Sequence, residues 1–515
     1  MKNLVSSTLV AVCLAAAVEA APSDVVTKAD LDAIVQRLNK LEAENKAQAK
    51  RIGQLEMENR KLRAGLPAKG IEAEAGPAVE EGTTAKGNIY TTKQGYQFYL
   101  ADKVAGIFQP LTPAGLAFRP YGFFVLEGVH NTHKACSDYY TDYLYPRKNG
   151  RHNGDHQTSL SVNDTKIGFD LVTPEEVSGW KFDGKFEFDF AGDDANHPKW
   201  RLRHLYFNAD HAESGWSITF GQTWHLWKMI APNEIDGAWL ENSGYPYRRS
   251  PQLRVTKVLD DVAGGRLELR AGIVKSGLGM GGDRDNDRNE DTTASAWPLL
   301  EGAAIYTHKA SWFDARENDA RNKWMIGLGG QYGRDKSRRF DEDGTLGKSD
   351  EYDSKMIMLA GELPVFARVF NKGSKGSDND DYDSLRVIGH VFAGENLGGV
   401  QAGVGQRVGF REYGRRGREV GTVGALIDIR YDWNRKWAFA LGYGVDDPID
   451  REAHYARGPS GSEGITCNGR IYADVFYWIL PNMRLAFEYA RLKTRYYEEG
   501  TADDDRFQFT LGYNF

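Results

Sequence analysis

The chain has 515 residues, of which 27% are charged and 12% aromatic, with a formal net charge of -7 and a mean hydropathy of -0.54. Acidic residues crowd into loop-like runs such as GGDRDNDRNED and GSDNDDYDS, which argues against a nucleic-acid partner. The low hydropathy excludes a bundle of apolar membrane helices but not a bacterial β-barrel, whose strands show lipid only at every second residue.

The first twenty residues, MKNLVSSTLVAVCLAAAVEA, combine a basic start at Lys2, an apolar stretch from Leu9 to Val18 and small residues ahead of Ala21. This is the pattern of a secretory signal peptide over residues 1–20. Its apolar stretch is about half of the roughly 20 residues that a membrane-spanning helix needs. Cys13 follows Val12, which is too large for the small residue that precedes a lipidated cysteine.

Residues 21–64 carry a heptad. Leu31, Leu38, Asn45, Ile52 and Asn59 fall on one seam position, and Ile34, Leu41, Gln48, Leu55 and Leu62 on the other. Such a helix is polar around most of its circumference and needs partner helices, so an α-helical coiled coil and a homo-oligomer are expected. Asn at the first seam position favours two strands over three, leaving the dimer and the trimer both open. Residues 65–117 hold Gly65, Pro67, Gly70, Gly76 and Pro77, then a Tyr-rich stretch without a period. They read as a linker and a segment with no assigned fold.

From Phe118 to Phe515 the period changes to two. In GWKFDGKFEFDF, Trp180, Phe182, Phe186, Phe188 and Phe190 share one parity, and Lys181, Asp183, Lys185, Glu187 and Asp189 the other. The last strand repeats the pattern with Phe507, Phe509, Leu511, Tyr513 and the terminal Phe515. About sixteen such segments are counted, an even number as single-chain bacterial barrels require. They lie near 118–130, 157–172, 179–191, 200–210, 215–227, 250–258, 264–275, 299–309, 323–333, 354–364, 384–394, 420–432, 436–445, 468–480, 483–497 and 505–515. Long charged connections follow odd-numbered strands and short ones follow several even-numbered strands. The stretch 365–383 is the exception, long where a turn is expected. The expected fold class is therefore all-β: a transmembrane antiparallel barrel of about sixteen strands over 118–515, in the cell outer membrane, with a periplasmic coiled coil ahead of it. Cys136 and Cys467 fall in segments read as loops at the same end, either bridged or as free thiols.

Several stretches go beyond this general pattern: FRPYGFFVLEGV at the first strand, RLRHLYFNAD at 201–210, FGQTWHLW with YPYRRSPQLRVTK within 220–257, HVFAGENLGGVQAGVGQ at 390–406 and KWAFALGYGVDDP at 436–448. Together they resemble the DcaP-like family of outer-membrane porins and, more distantly, phosphate-selective porins. The resemblance covers most of 118–515, and a coiled-coil amino terminus belongs to the same pattern. It implies a sixteen-stranded homotrimeric channel that passes small anionic solutes such as dicarboxylates.

A lumen of that size is filled with water, and charged side chains at its narrowest point set its selectivity. Parity turns Lys181, Lys185, Arg254, Arg266, Arg270, Arg386, Arg430 and Arg484 inward, together with Asp183, Glu187, Asp189, Glu268, Asp428 and Glu488. Arg201 and Arg203 join them, although RLRHLYF has apolar residues on both parities and admits a bulge. The least balanced basic set is Arg201, Arg203, Arg248, Arg249 and Arg254. With Arg266, Arg270 and Arg430 these form the candidate channel-lining, anion-binding residues, since a guanidinium forks onto a carboxylate. The alternative for each is a wall ladder of ion pairs. Arg407, Arg411, Arg415, Arg416 and Arg418 form a second basic group, read as a solvated loop or as contacts to lipopolysaccharide.

No enzyme is expected. GPSGSEG at 458–464 lacks the spacing of a nucleophile elbow, and His204, His225 and His390 show no evident carboxylate and serine set. DRDNDRNED at 283–291 has Arg288 where a calcium loop turns on glycine, so no metal or other cofactor is expected. Two functions compete: a passive, anion-preferring porin, and a structural or adhesive protein whose barrel anchors surface loops while the coiled coil tethers the envelope.

Overall fold

In the computed structural model the described residues are 88–91, 97–100 and most of 117–515. Within the last, 147–154, 193–197, 277–294, 313–321, 341–345, 371–380, 457–463 and a few shorter stretches are not described. The expected signal peptide and coiled coil both lie outside the described residues. In the segment left unassigned, Asn88–Thr91 and Gln97–Leu100 pair as two short antiparallel strands.

Sixteen antiparallel strands close into a barrel. The first half comprises β1 Ala117–Asn131, β2 in two pieces Gln157–Ser161 and Lys166–Val172, β3 Trp180–Asp189, β4 Arg201–His211, β5 Trp216–Trp224, β6 Arg249–Val262, β7 Gly265–Val274 and β8 Ser295–Lys309. The second comprises β9 Lys323–Phe340, β10 Leu346–Phe370, β11 Asp381–Glu395, β12 Gly421–Asp432, β13 Trp437–Pro448, β14 Ile465–Leu480, β15 Met483–Tyr496 and β16 Gly500–Asn514. Every one of the sixteen segments expected from parity is a strand. The stretch 365–383 is long because β10 runs on to Phe370 and β11 starts at Asp381.

The alternation explains the wall. Side chains such as Phe124, Leu205, Phe220, Ile273, Ile357, Val391, Ile427 and Phe487 stand exposed on the outside, while Glu301, His390, Asp428, Asp474 and Glu488 between them in sequence are buried within. An exposed apolar outside and a polar inside invert the globular pattern and suit a hydrocarbon surround. The terminal residue completes the closure. Phe515 exchanges backbone hydrogen bonds with Gly122 of β1 at 3.0 and 3.1 Å, and its ring stacks on Phe124 at 4.9 Å. A Cβ at residue 122 would collide with that ring, so glycine stands there.

Three local departures matter. β2 is not one strand over 157–172 but breaks between Ser161 and Lys166, where the Thr165 amide donates to the Val162 carbonyl at 3.0 Å. β4 carries the bulge that its mixed parity admits. The register slips between Glu187 and Phe188 of β3, so the consecutive residues Arg203 and His204 are both buried within the barrel. The wall is also uneven, with β10 at 25 residues and β5 at 9, or about 80 Å of extended chain against about 30 Å.

Candidate functional site: a cationic and aromatic throat

The connection 225–248 between β5 and β6 folds into the barrel and leans on its tall side. Met229 and Trp227 pack where β9 offers Gly327 and Gly329 instead of side chains. Asp428 of β12 accepts from the Asn233 amide at 3.0 Å, and Glu488 of β15 from the Ile235 amide at 3.2 Å. Glu234 pairs at 2.7 Å with Arg470 of β14, a fully buried guanidinium that also holds Glu488 at 2.9 Å. Further on, Asp446 of β13 accepts from the Gly244 amide at 2.9 Å, His390 of β11 contacts the Gly244 carbonyl at 2.6 Å, and Asn468 donates to the Asn242 carbonyl at 2.7 Å.

The root of this loop corrects one reading of the sequence, because His225 does have a carboxylate and a serine. Its Nδ1 lies 2.5 Å from Glu301 Oε1 and its Nε2 lies 3.0 Å from Ser250 Oγ. Glu301 also accepts from the Leu226 amide at 2.9 Å and the Trp227 indole at 3.2 Å. All three residues are buried between the loop and the wall. The relay ties β5, β6 and β8 to the loop's first turn.

With one side of the lumen filled, a throat of about 560 Å³ remains between the loop and the short-stranded wall. Its loop side is aromatic. Trp224, Trp239 and Tyr247 meet at ring separations of 5.7 to 5.9 Å. Trp239 and Leu240 hold φ of 49° and 59°, the left-handed region that non-glycine residues avoid, at a cost of about 1–3 kcal/mol each. Cations sit on the rings. Lys228 Nζ and the Arg249 guanidinium each lie 4.4 Å from the Trp224 centroid, and Lys166 Nζ lies 5.9 Å from that of Trp239. Burial, with Arg249 and Arg203 nearby, lowers the Lys228 ammonium to about 7, and burial pushes the Glu241 carboxyl up to about 7 despite the hydrogen bond from Tyr247.

The candidate arginines divide. Arg201 and Arg203 were expected to be among the least balanced, and this is corrected. Arg201 forks onto Asp189 at 2.9 and 2.7 Å, while Arg203 bonds Glu187 and Asp189 at 2.6 Å each. The bulge in β4 brings the Arg203 side chain onto both acids, which parity alone does not reveal. Arg248 lies in the loop and donates to the Gly399 carbonyl at 2.8 Å. Arg270 pairs with Glu268 at 2.6 Å, and Arg430 with Asp432 at 2.9 Å. Arg266 is exposed beside the turn between β6 and β7. Among the described residues, no carboxylate pairs with Arg249, Arg254 or Lys228. Arg254 Nη2 reaches Thr219 at 3.3 Å, and its Nε has no hydrogen-bond partner.

The second basic group is mostly held by its surroundings. Arg407 pairs with Asp335 at 3.0 Å, Arg411 with Glu452 at 2.7 Å and Arg415 with Glu412 at 2.7 Å, while Arg416 donates to the Glu351 carbonyl at 2.7 Å. Cys136 and Cys467 are free thiols, and Cys467 belongs to β14 rather than to a loop.

Sequence reasoning missed Trp224, Lys228, Trp239, Tyr247 and Lys166. The signal was the composition of 225–248, which is rich in tryptophan, tyrosine and isoleucine where the other long connections are acidic. The matching signal was the inward glycines of β9, a recess that another segment must fill.

No protein-family model and no curated protein sequence matches the chain. Among solved structures, the outer membrane channel DcaP of Acinetobacter baumannii superposes with a TM-score of 0.55 at 19% identity, over 78% of this chain and 99% of that one. An anion-selective porin from Comamonas acidovorans matches at a TM-score of 0.46 and 10% identity, over 78% and 100% of the two chains. The chain thus has the barrel fold of the DcaP channel, in agreement with the resemblance carried by its sequence motifs.

Proposed function

We propose that the chain is an outer-membrane porin for passive diffusion of small hydrophilic solutes, with a preference for anions, and not an enzyme. One observation carries the preference: Arg249 lines the throat and, like Lys228 beside it, rests on the Trp224 ring, and among the described residues no carboxylate pairs with either. A cation 4 Å from a passing anion contributes about 1 kcal/mol in water and about 4 at an effective dielectric near 20, enough to bias passage without trapping the solute. Dicarboxylates are the solutes suggested by the sequence resemblance. A homotrimer, with the coiled coil of residues 21–64 in the periplasm and the apolar outer wall against lipid and lipopolysaccharide, completes the reading.

The test is the reversal potential of single channels in a planar bilayer under a salt gradient. The wild type is expected to prefer anions, and Arg249→Gln combined with Arg254→Gln to reduce that preference most at low ionic strength, where screening is weak. A wild-type channel with cation preference refutes the anion reading. A protein that forms no channel favours the structural or adhesive alternative.

A further inference from the structure

The throat contains more than its cations. Glu241 faces it with Oε2 accepting from the Tyr247 hydroxyl at 3.2 Å, while Oε1 is buried and has no hydrogen-bond partner among the described residues. Asp164, held by the Tyr140 hydroxyl, lines the same volume. A plain dianion gains from Arg249 and Lys166 but is repelled by these two carboxylates and by Glu127, Asp142 and Glu234, which line the same volume. A hydroxylated ring meets no such conflict, because a carboxylate that cannot find a donor in the protein accepts well from a hydroxyl. The aromatic face of Trp239 suits the C–H face of such a ring. The left-handed backbone at Trp239 and Leu240 is an independent sign, since strain of that kind persists where it holds a side chain for use.

We propose that the throat is a subsite for sugar acids: one carboxylate seated between Arg249 and Lys166, the ring against Trp239, and the hydroxyls donating to Glu241 and Asp164. The volume of about 560 Å³ lies within the range of small-molecule sites. This deepens the porin reading and rests on it.

The experiment uses the full-length protein in planar bilayers and measures block of the ion current by glucuronate, glucose and butyrate. Glucuronate is expected to half-block at a concentration about tenfold below either of the others, since each lacks one half of the recognition. Glu241→Leu removes a negative charge and an acceptor together. A purely electrostatic throat would then bind both monoanions more tightly and leave their ratio unchanged; the sugar-acid site instead loses most of the glucuronate advantage over butyrate. Trp239→Ala should lose the same advantage, and Trp239→Phe should recover part of it. If wild-type protein conducts but butyrate blocks as well as glucuronate, or if Glu241→Leu preserves the ratio, the sugar-acid proposal is overturned and the porin reading stands. Absence of any ion current overturns both.

Discussion

Replacing Arg470 by alanine should release the inserted loop from the wall without unfolding the barrel. The guanidinium is fully buried, 2.7 Å from Glu234 of the loop and 2.9 Å from Glu488 of β15. Asp474, buried on β14, is the cross-strand neighbour of Glu488. Truncation strands Glu234 and Glu488 beside Asp474 with the counter-charge of the first two gone. Breaking a buried pair in this way costs about 3–5 kcal/mol, and the cheapest relief is for Glu234 to swing into the water of the lumen. About 3 kcal/mol changes the balance of docked and undocked loop by more than about a hundredfold. Bonds that remain on this stretch, from the Asn233 amide and side chain to Asp428, from Arg430 to Asn233 and from the Ile235 amide to Glu488, each contribute about 1–3 kcal/mol. The β14–β15 ladder, paired from Ile465 with Tyr496 to Leu480 with Met483, does not depend on the arginine. Single-channel recording should show an altered, noisier conductance, and hydrogen exchange should show faster exchange of the 233–245 amides with the strands still protected. Replacing Arg470, Glu234 and Glu488 together by methionine should restore quiet conductance, because the guanidinium leaves together with both carboxylates it pairs with. Wild-type conductance and protected loop amides in Arg470→Ala would show that the cluster does not hold the loop.

Anion preference should fall as pH rises from 6 to 8. Lys228, lowered to about 7 by burial and by Arg249 and Arg203, loses its charge over the same window in which Glu241, raised to about 7 by burial against Tyr247, Arg201, Arg248 and Arg249, gains one. The pair thus goes from +1 to -1, and reversal potentials in Lys228→Gln with Glu241→Gln should lose the step. In stability the two act oppositely. Glu241, raised from 4.5, favours folding less as pH climbs to 7, whereas Lys228, lowered from 10.5, favours it more as pH climbs beyond 7. Gly329→Val should disturb the pore rather than the barrel, since a Cβ there would lie 2.8 Å from that of Trp227; unchanged conductance would place Trp227 elsewhere. Deleting residues 21–64 should leave a heat-modifiable barrel on detergent gels, because the barrel strands begin at Ala117, while weakening the oligomer.

Alternation of residue type was enough to number the strands, because a wall one residue thick, with lipid outside and water inside, prints its environment on every strand with a period of two. Phe515 was legible as the end of the last strand, and the mixed parity of RLRHLYF as a bulge. Parity also turned Arg254, Arg270 and Arg430 inward, where they are found. It is silent about what meets across the lumen. Asp189 and Glu187 sit on β3, and only the slipped register of β4 brings Arg201 and Arg203 onto them. The fold of 225–248 lay further out of reach, since the residues it meets at Gly327, Asp428, Arg470 and Glu488 are 98 to 253 positions away in the chain. Local sequence determines which face of a strand is wet. Which wet side chains keep their charge depends on long-range pairing, and that is decided only when the barrel closes and the loop is laid across it.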